Sequence, residues 1–161
     1  MNTLKTAFVS AALAASALFA VPALAQEASP VSLSGDVKAV VTSTDEAGNK
    51  TTELVEPNTI VPGDRLVFGT DYSNTGAEPV KNFVVTNPLP KPVKLASDAD
   101  ADLEVSVDGG TSWGTLASLS VTLEDGSSRS AQHEDVTHVR WTLAEIAPGE
   151  SGRLEYPAII R

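Results

Sequence analysis

The chain has 161 residues, 11 of them basic and 21 acidic, for a formal charge of −10, and it contains no cysteine. That balance disfavours nucleic acid and anionic membrane surfaces as partners, because both are bound through basic patches. The missing cysteine excludes disulfides, thiol catalysis and cysteine-linked lipid attachment.

The first segment, MNTLKTAFVSAALAASALFAVPALAQ, carries one basic residue, Lys5, then an alanine-rich apolar run, and closes on Ala23-Leu24-Ala25. A basic start, an apolar middle and an A-x-A site describe a secretory signal peptide, residues 1–25, cleaved after Ala25. Read instead as a membrane anchor the run is marginal, since a span needs about 20 apolar residues, and Pro22 interrupts its end. The expected location is therefore exported, in the periplasm or the extracellular medium, without membrane insertion after cleavage. Loss of Lys5 takes the formal charge from −10 to −11. The remaining chain, 26–161, has the length of one domain and is expected to fold as one unit.

Beyond the leader, β-branched and aromatic runs alternate with turn signals, and no long stretch carries helical periodicity. Pro30–Asp36 has modest strand character, and Val37–Thr42 and Thr51–Val55 flank the turn Ala47-Gly48-Asn49-Lys50. These N-terminal strands, residues 26–56, pack on or lead into the main unit, residues 57–161. Val61-Pro62-Gly63-Asp64 is a β-turn with proline and glycine placed to set its angles. Leu66, Phe68, Thr70 and Tyr72 then alternate to form one face of a strand, and Asn74-Thr75-Gly76 closes it. Val80–Thr86 is a strand expected to end at Asn87-Pro88-Leu89-Pro90, because proline cannot donate to a ladder. Leu103–Val107, Leu116–Leu123, Val136–Leu143 and Arg153–Ile160 follow, with turns at Asp125-Gly126 and Pro148-Gly149. The alternation of Val139, Trp141 and Leu143 puts Trp141 in the core, while Leu143–Ile146 has the alternative of one helical turn. Short strands with turns every ~8–12 residues indicate an all-β fold, a sandwich of about 7–9 strands.

Three stretches invite a chemical reading. Ser106–Trp113, SVDGGTSW, fits S-x-D-x-G-x-[ST]-W and resembles the Asp-box hairpin repeated in sialidases and other glycan-active β-propellers. A propeller needs several blades of about 40 residues or more, which this chain cannot supply. The five arginines are scattered, where a sialidase needs them clustered. Ser106, Asp108, Gly110, Ser112 and Trp113 are thus expected to build a turn: the Asp108 carboxylate accepts backbone N–H groups, and Gly109 and Gly110 allow positive φ. The second stretch, Gln132–His138, is one residue too long for H-E-x-x-H, whose histidines must share a helix face. The third, Asp98, Asp100 and Asp102, mimics the start of a calcium loop. However, Leu103 stands where the tight turn needs glycine and Gly109 where a bidentate Glu belongs. These three aspartates are the one calcium candidate in the chain. No catalytic residue and no cofactor are expected.

Val61–Pro90, the SVDGGTSW hairpin and His138–Tyr156 occur in an order that resembles the conserved-repeat domain of bacterial envelope and surface proteins catalogued as domain of unknown function eleven. The matching positions are Pro62-Gly63-Asp64, Asn74-Thr75-Gly76, Asn87-Pro88-Leu89-Pro90 and Pro148-Gly149-Glu150, and the likeness spans roughly Pro57–Ile160. The chain departs from it at Asn87-Pro88, where the family usually has Asp before Leu-Pro, and in carrying one copy rather than a tandem array. The resemblance implies an immunoglobulin-like Greek-key β-sandwich with no catalytic residues. The expected function is a non-catalytic structural or protein-interaction module of the cell envelope. Its partner would be an unknown envelope protein or surface component, and the module itself a monomer. The alternative is a periplasmic or secreted carbohydrate- or calcium-binding module.

Overall fold

Alternation in one strand organises the molecule. In the computed structural model, which describes residues 29–161, Arg65–Asn74 turns Leu66, Phe68, Thr70 and Tyr72 to one side and Arg65, Val67, Gly69 and Asp71 to the other. The signal-peptide reading of residues 1–25 lies outside the described residues. Among the described residues there are eleven strands: β1 (Val31–Thr44), β2 (Lys50–Val55), β3 (Arg65–Asn74), β4 (Val80–Pro88), β5 (Val93–Leu95), β6 (Glu104–Ser106), β7 (Gly114–Thr115), β8 (Ser120–Thr122), β9 (Ser128–Ser130), β10 (His138–Ile146) and β11 (Ser151–Ile160). They form antiparallel sheets in the orders β2-β1-β3-β11-β5 and β4-β10-β6-β7, with β8-β9 as a separate hairpin. The fold is all-β, consistent with a sandwich. Among the described residues no helix is long and apolar enough to cross a membrane.

β1 is long because it serves two partners. Val31–Ala39 pairs with β3 within the same chain, and Ala39–Thr44 pairs with β2. Asp45 closes the β1–β2 turn, its carboxylate accepting from the Asn49 backbone at 2.8 Å and side chain at 2.9 Å. These bonds hold the Asp45 carboxyl below its ordinary range.

Both large sheets supply the core. Leu66, Tyr156, Ala158 and Leu95 come from the first and Val105 and Val139 from the second, joined by Val136 from the loop before β10. Full burial of each of these valine and leucine side chains contributes about 1.5–3 kcal/mol. Phe68 stacks on Tyr156 with ring centroids 5.0 Å apart, and Trp141 lies 6.2 Å from the same ring. Trp141 thus packs against the core, where its alternation with Val139 and Leu143 points it.

A polar staple fastens one end of the sheets. Asn74, fully buried, donates from Nδ2 to the carbonyls of Glu78 and Ile146, both at 2.9 Å, and accepts at Oδ1 from the Gly76 N–H at 3.0 Å. Its backbone bonds Glu150 and Gly149, so one residue ties the β3–β4 turn to the β10–β11 turn. On the outer face of the first sheet Arg153 joins Asp36 at 2.7 Å, Asp71 at 3.0 Å and Glu155 at 2.5 Å. Gly69 makes room for it, since a Cβ there would fall 2.0 Å from the guanidinium.

Several boundaries differ from the sequence expectation. β4 runs through Asn87 to Pro88, which pairs with His138. The Leu89 N–H bonds the Thr137 carbonyl across to β10, so the position before it faces the open edge, where a missing N–H costs no ladder bond. Leu143–Ile146 belongs to β10 and makes no helical turn, because Leu143, Glu145 and Ile146 pair with Phe83, Lys81 and Val80. Leu116–Leu123 is not one strand. A 3-10 turn takes Leu116–Ser118, with the Ser118 hydroxyl on the Thr115 carbonyl at 2.8 Å, and only Ser120–Thr122 pairs, with β9. The strand count exceeds the expected 7–9 because β5, β7 and β9 are too short for alternation to reveal them.

Candidate functional site

The Asp-box stretch joins β6 to β7 on the second sheet. Ser106, the last residue of β6, is fully buried, and its hydroxyl is a hub. It donates to Asp108 Oδ1 at 2.7 Å and accepts the N–H groups of Asp108 at 3.3 Å and Gly110 at 2.9 Å. Asp108 Oδ1 also accepts the N–H groups of Thr111 at 3.1 Å and Ser112 at 2.9 Å, while Oδ2 takes the Ser112 hydroxyl at 2.6 Å. The hydroxyl and N–H of Ser112, then the Ser106 hydroxyl, hold the Asp108 carboxyl far below the ordinary carboxylate range. Gly109 and Gly110 have φ of 78° and 91°, the left-handed region that glycine enters without strain.

Trp113 donates from Nε1 to the Gly110 carbonyl at 2.9 Å. Its ring lies outside the core. The Arg140 guanidinium sits 4.3 Å above it, and His138 meets it edge-on at 6.2 Å. Arg140 is itself held by Glu104 through contacts of 2.9 and 3.2 Å, which lower the Glu104 carboxyl. Thr137 completes the anchorage. Its N–H and hydroxyl donate to the Ser106 carbonyl at 2.8 and 3.1 Å, and its hydroxyl accepts the Gly109 N–H at 3.1 Å. Thr137 and Arg140 are not legible in this role from the sequence: both lie some distance along the chain, and cross-strand neighbours leave no local pattern.

Ser106→Ala removes a buried hydroxyl that accepts two part-buried N–H groups and donates to Asp108, and is expected to destabilise by about 1–3 kcal/mol in urea unfolding. Trp113 is only half-buried, so Trp113→Ala is expected to cost about 2 kcal/mol, below the ~3–5 kcal/mol of a core tryptophan.

The other two candidate stretches are not assembled into sites. His133 lies in the 3-10 turn His133–Asp135 and His138 opens β10, so no helix face carries both. The His138 Nδ1 is 3.0 Å from the Thr137 hydroxyl. Asp98 is committed to Arg65 by two contacts of 2.8 Å, which lower its carboxyl. Asp100 Oδ1 accepts the Asp102 N–H at 2.9 Å. Among the described residues no group of three or more His, Cys, Asp or Glu side chains is placed to hold a metal ion.

No protein-family model matches the chain, and searches of curated proteins and of solved structures return no match.

Proposed function

We propose that the chain is a non-catalytic, exported module of the bacterial cell envelope, an immunoglobulin-like Greek-key β-sandwich that acts in structure or protein interaction. The observation that carries this reading is the state of the Asp box. Both oxygens of Asp108 and the Ser106 hydroxyl are engaged within the hairpin, and the Arg140 guanidinium is engaged by Glu104 and Trp113. The groups that resemble a glycan-active signature are spent on rigidity. Export rests on the leader-like residues 1–25, and the envelope assignment on the ordered likeness to the conserved-repeat domain.

The partner is an envelope protein or surface component, and the module is a monomer before it meets that partner, since its acidic surface opposes crowding of identical copies. The calcium alternative would have to release Asp98 from Arg65, and the carbohydrate alternative would have to displace Arg140 from the Trp113 ring. Cross-linking of intact host cells, together with glycoside, ester and peptide substrate panels on the purified chain, tests the proposal. Envelope-protein adducts and no turnover are expected. Turnover abolished by Asp108→Asn would overturn it.

A further inference from the structure

Between the acidic loop and the separate β8–β9 hairpin lies a cavity of about 300 Å³. Its wall is apolar, built from Leu95, Leu103, Val105 and Leu116, the first three of them core residues. Asp100 and His133 also line it and are its ionisable groups. The size lies at the lower end of small-ligand pockets, ~300–1,000 Å³, which combine an apolar lining with a few polar groups that orient the occupant.

The charge at this cavity is one-signed. Asp98, its neighbour along the loop, is neutralised by Arg65, whereas no basic side chain pairs with Asp100 among the described residues. Asp100 uses Oδ1 on the Asp102 N–H, which leaves Oδ2 for a donor. The whole chain, at −10, adds a field that draws cations.

We propose that this cavity binds a small amphipathic cation, its ring or short chain against the leucine wall and its protonated amine on Asp100. A neutral ligand of the same shape gains the apolar burial alone, and an anionic one meets Asp100 as a like charge. His133 offers a second polar contact, to a hydroxyl or amine. This site shares no residue with the Asp-box hairpin, and it would stand whether or not the envelope reading does.

The test is a nitrogen-15 amide titration at pH 8 with 2-phenylethylamine, against 2-phenylethanol and 3-phenylpropanoate as neutral and anionic matches. The amine is expected to give saturable shifts confined to Ala99–Leu103, Leu116, Ala117 and Ala131–His133. Asp100→Asn should weaken the amine about tenfold and leave the alcohol unchanged. Ala117→Trp, which fills the cavity from its exposed rim without touching the core, should abolish both while the remaining spectrum keeps its dispersion. The proposal is overturned if shifts do not saturate or if they spread over the acidic surface and survive Ala117→Trp. It is equally overturned if the alcohol or the acid binds as well as the amine.

Discussion

Asn74→Ala is expected to lose about 3 kcal/mol of unfolding free energy, as much as a large core truncation, although it removes only a polar side chain. The three side-chain bonds of Asn74 satisfy the carbonyls of Glu78 and Ile146 and the N–H of Gly76. Alanine fills none of those roles, and a buried group left unpaired costs about 1–3 kcal/mol. Asn74→Asp is expected to do no better: it keeps an acceptor for Gly76 but turns a carboxylate oxygen on two carbonyls. Urea unfolding of the three proteins checks this, and a loss below about 1 kcal/mol for Asn74→Ala would remove the staple from the account.

The second large effect is at Tyr156, which is 1% exposed between Phe68 and Trp141. Tyr156→Ala is expected to cost about 3–5 kcal/mol through the cavity it leaves. Tyr156→Phe keeps the ring and separates packing from ionisation. Burial pushes the Tyr156 hydroxyl up to about 12, from 10.0 in the open chain. Below the unfolded value both states hold the proton, so stability is unaffected. Between about 10 and 12 only the unfolded chain releases it, so stability falls as pH rises through that window. Unfolding curves near pH 9 and pH 11.5 should therefore show the natural chain losing roughly 1–2 kcal/mol more than Tyr156→Phe. Equal losses would mean the hydroxyl is not buried as described.

Some of this was legible in the sequence. The inward face of β3 follows from strict alternation at Leu66, Phe68, Thr70 and Tyr72, because side-chain direction in a strand has period two. The Val61–Asp64 turn was legible for a similar local reason, and it closes with the Val61 N–H on Asp64 Oδ2 at 2.8 Å. The Asp-box residues are also local to one another, so their hairpin bonds could be anticipated from spacing. What was hidden is non-local. Asn74 reads as an ordinary turn residue, and nothing near it announces a bond to Ile146, 72 positions away. Trp113 bonds the Gly110 carbonyl within its own hairpin, but nothing local to it announces Arg140, whose guanidinium lies 4.3 Å from the ring. Proline at position 88 reads as a strand end until β4 is known to be an edge, which is a property of sheet order.

The central claim, an exported module freed of its leader, is tested most directly by fractionating host cells and measuring the intact mass of the chain in each fraction. The account predicts a species of residues 26–161 in the periplasmic or medium fraction, with its first residue at Gln26. Recovery of the full 161-residue chain from the cytosol would contradict it.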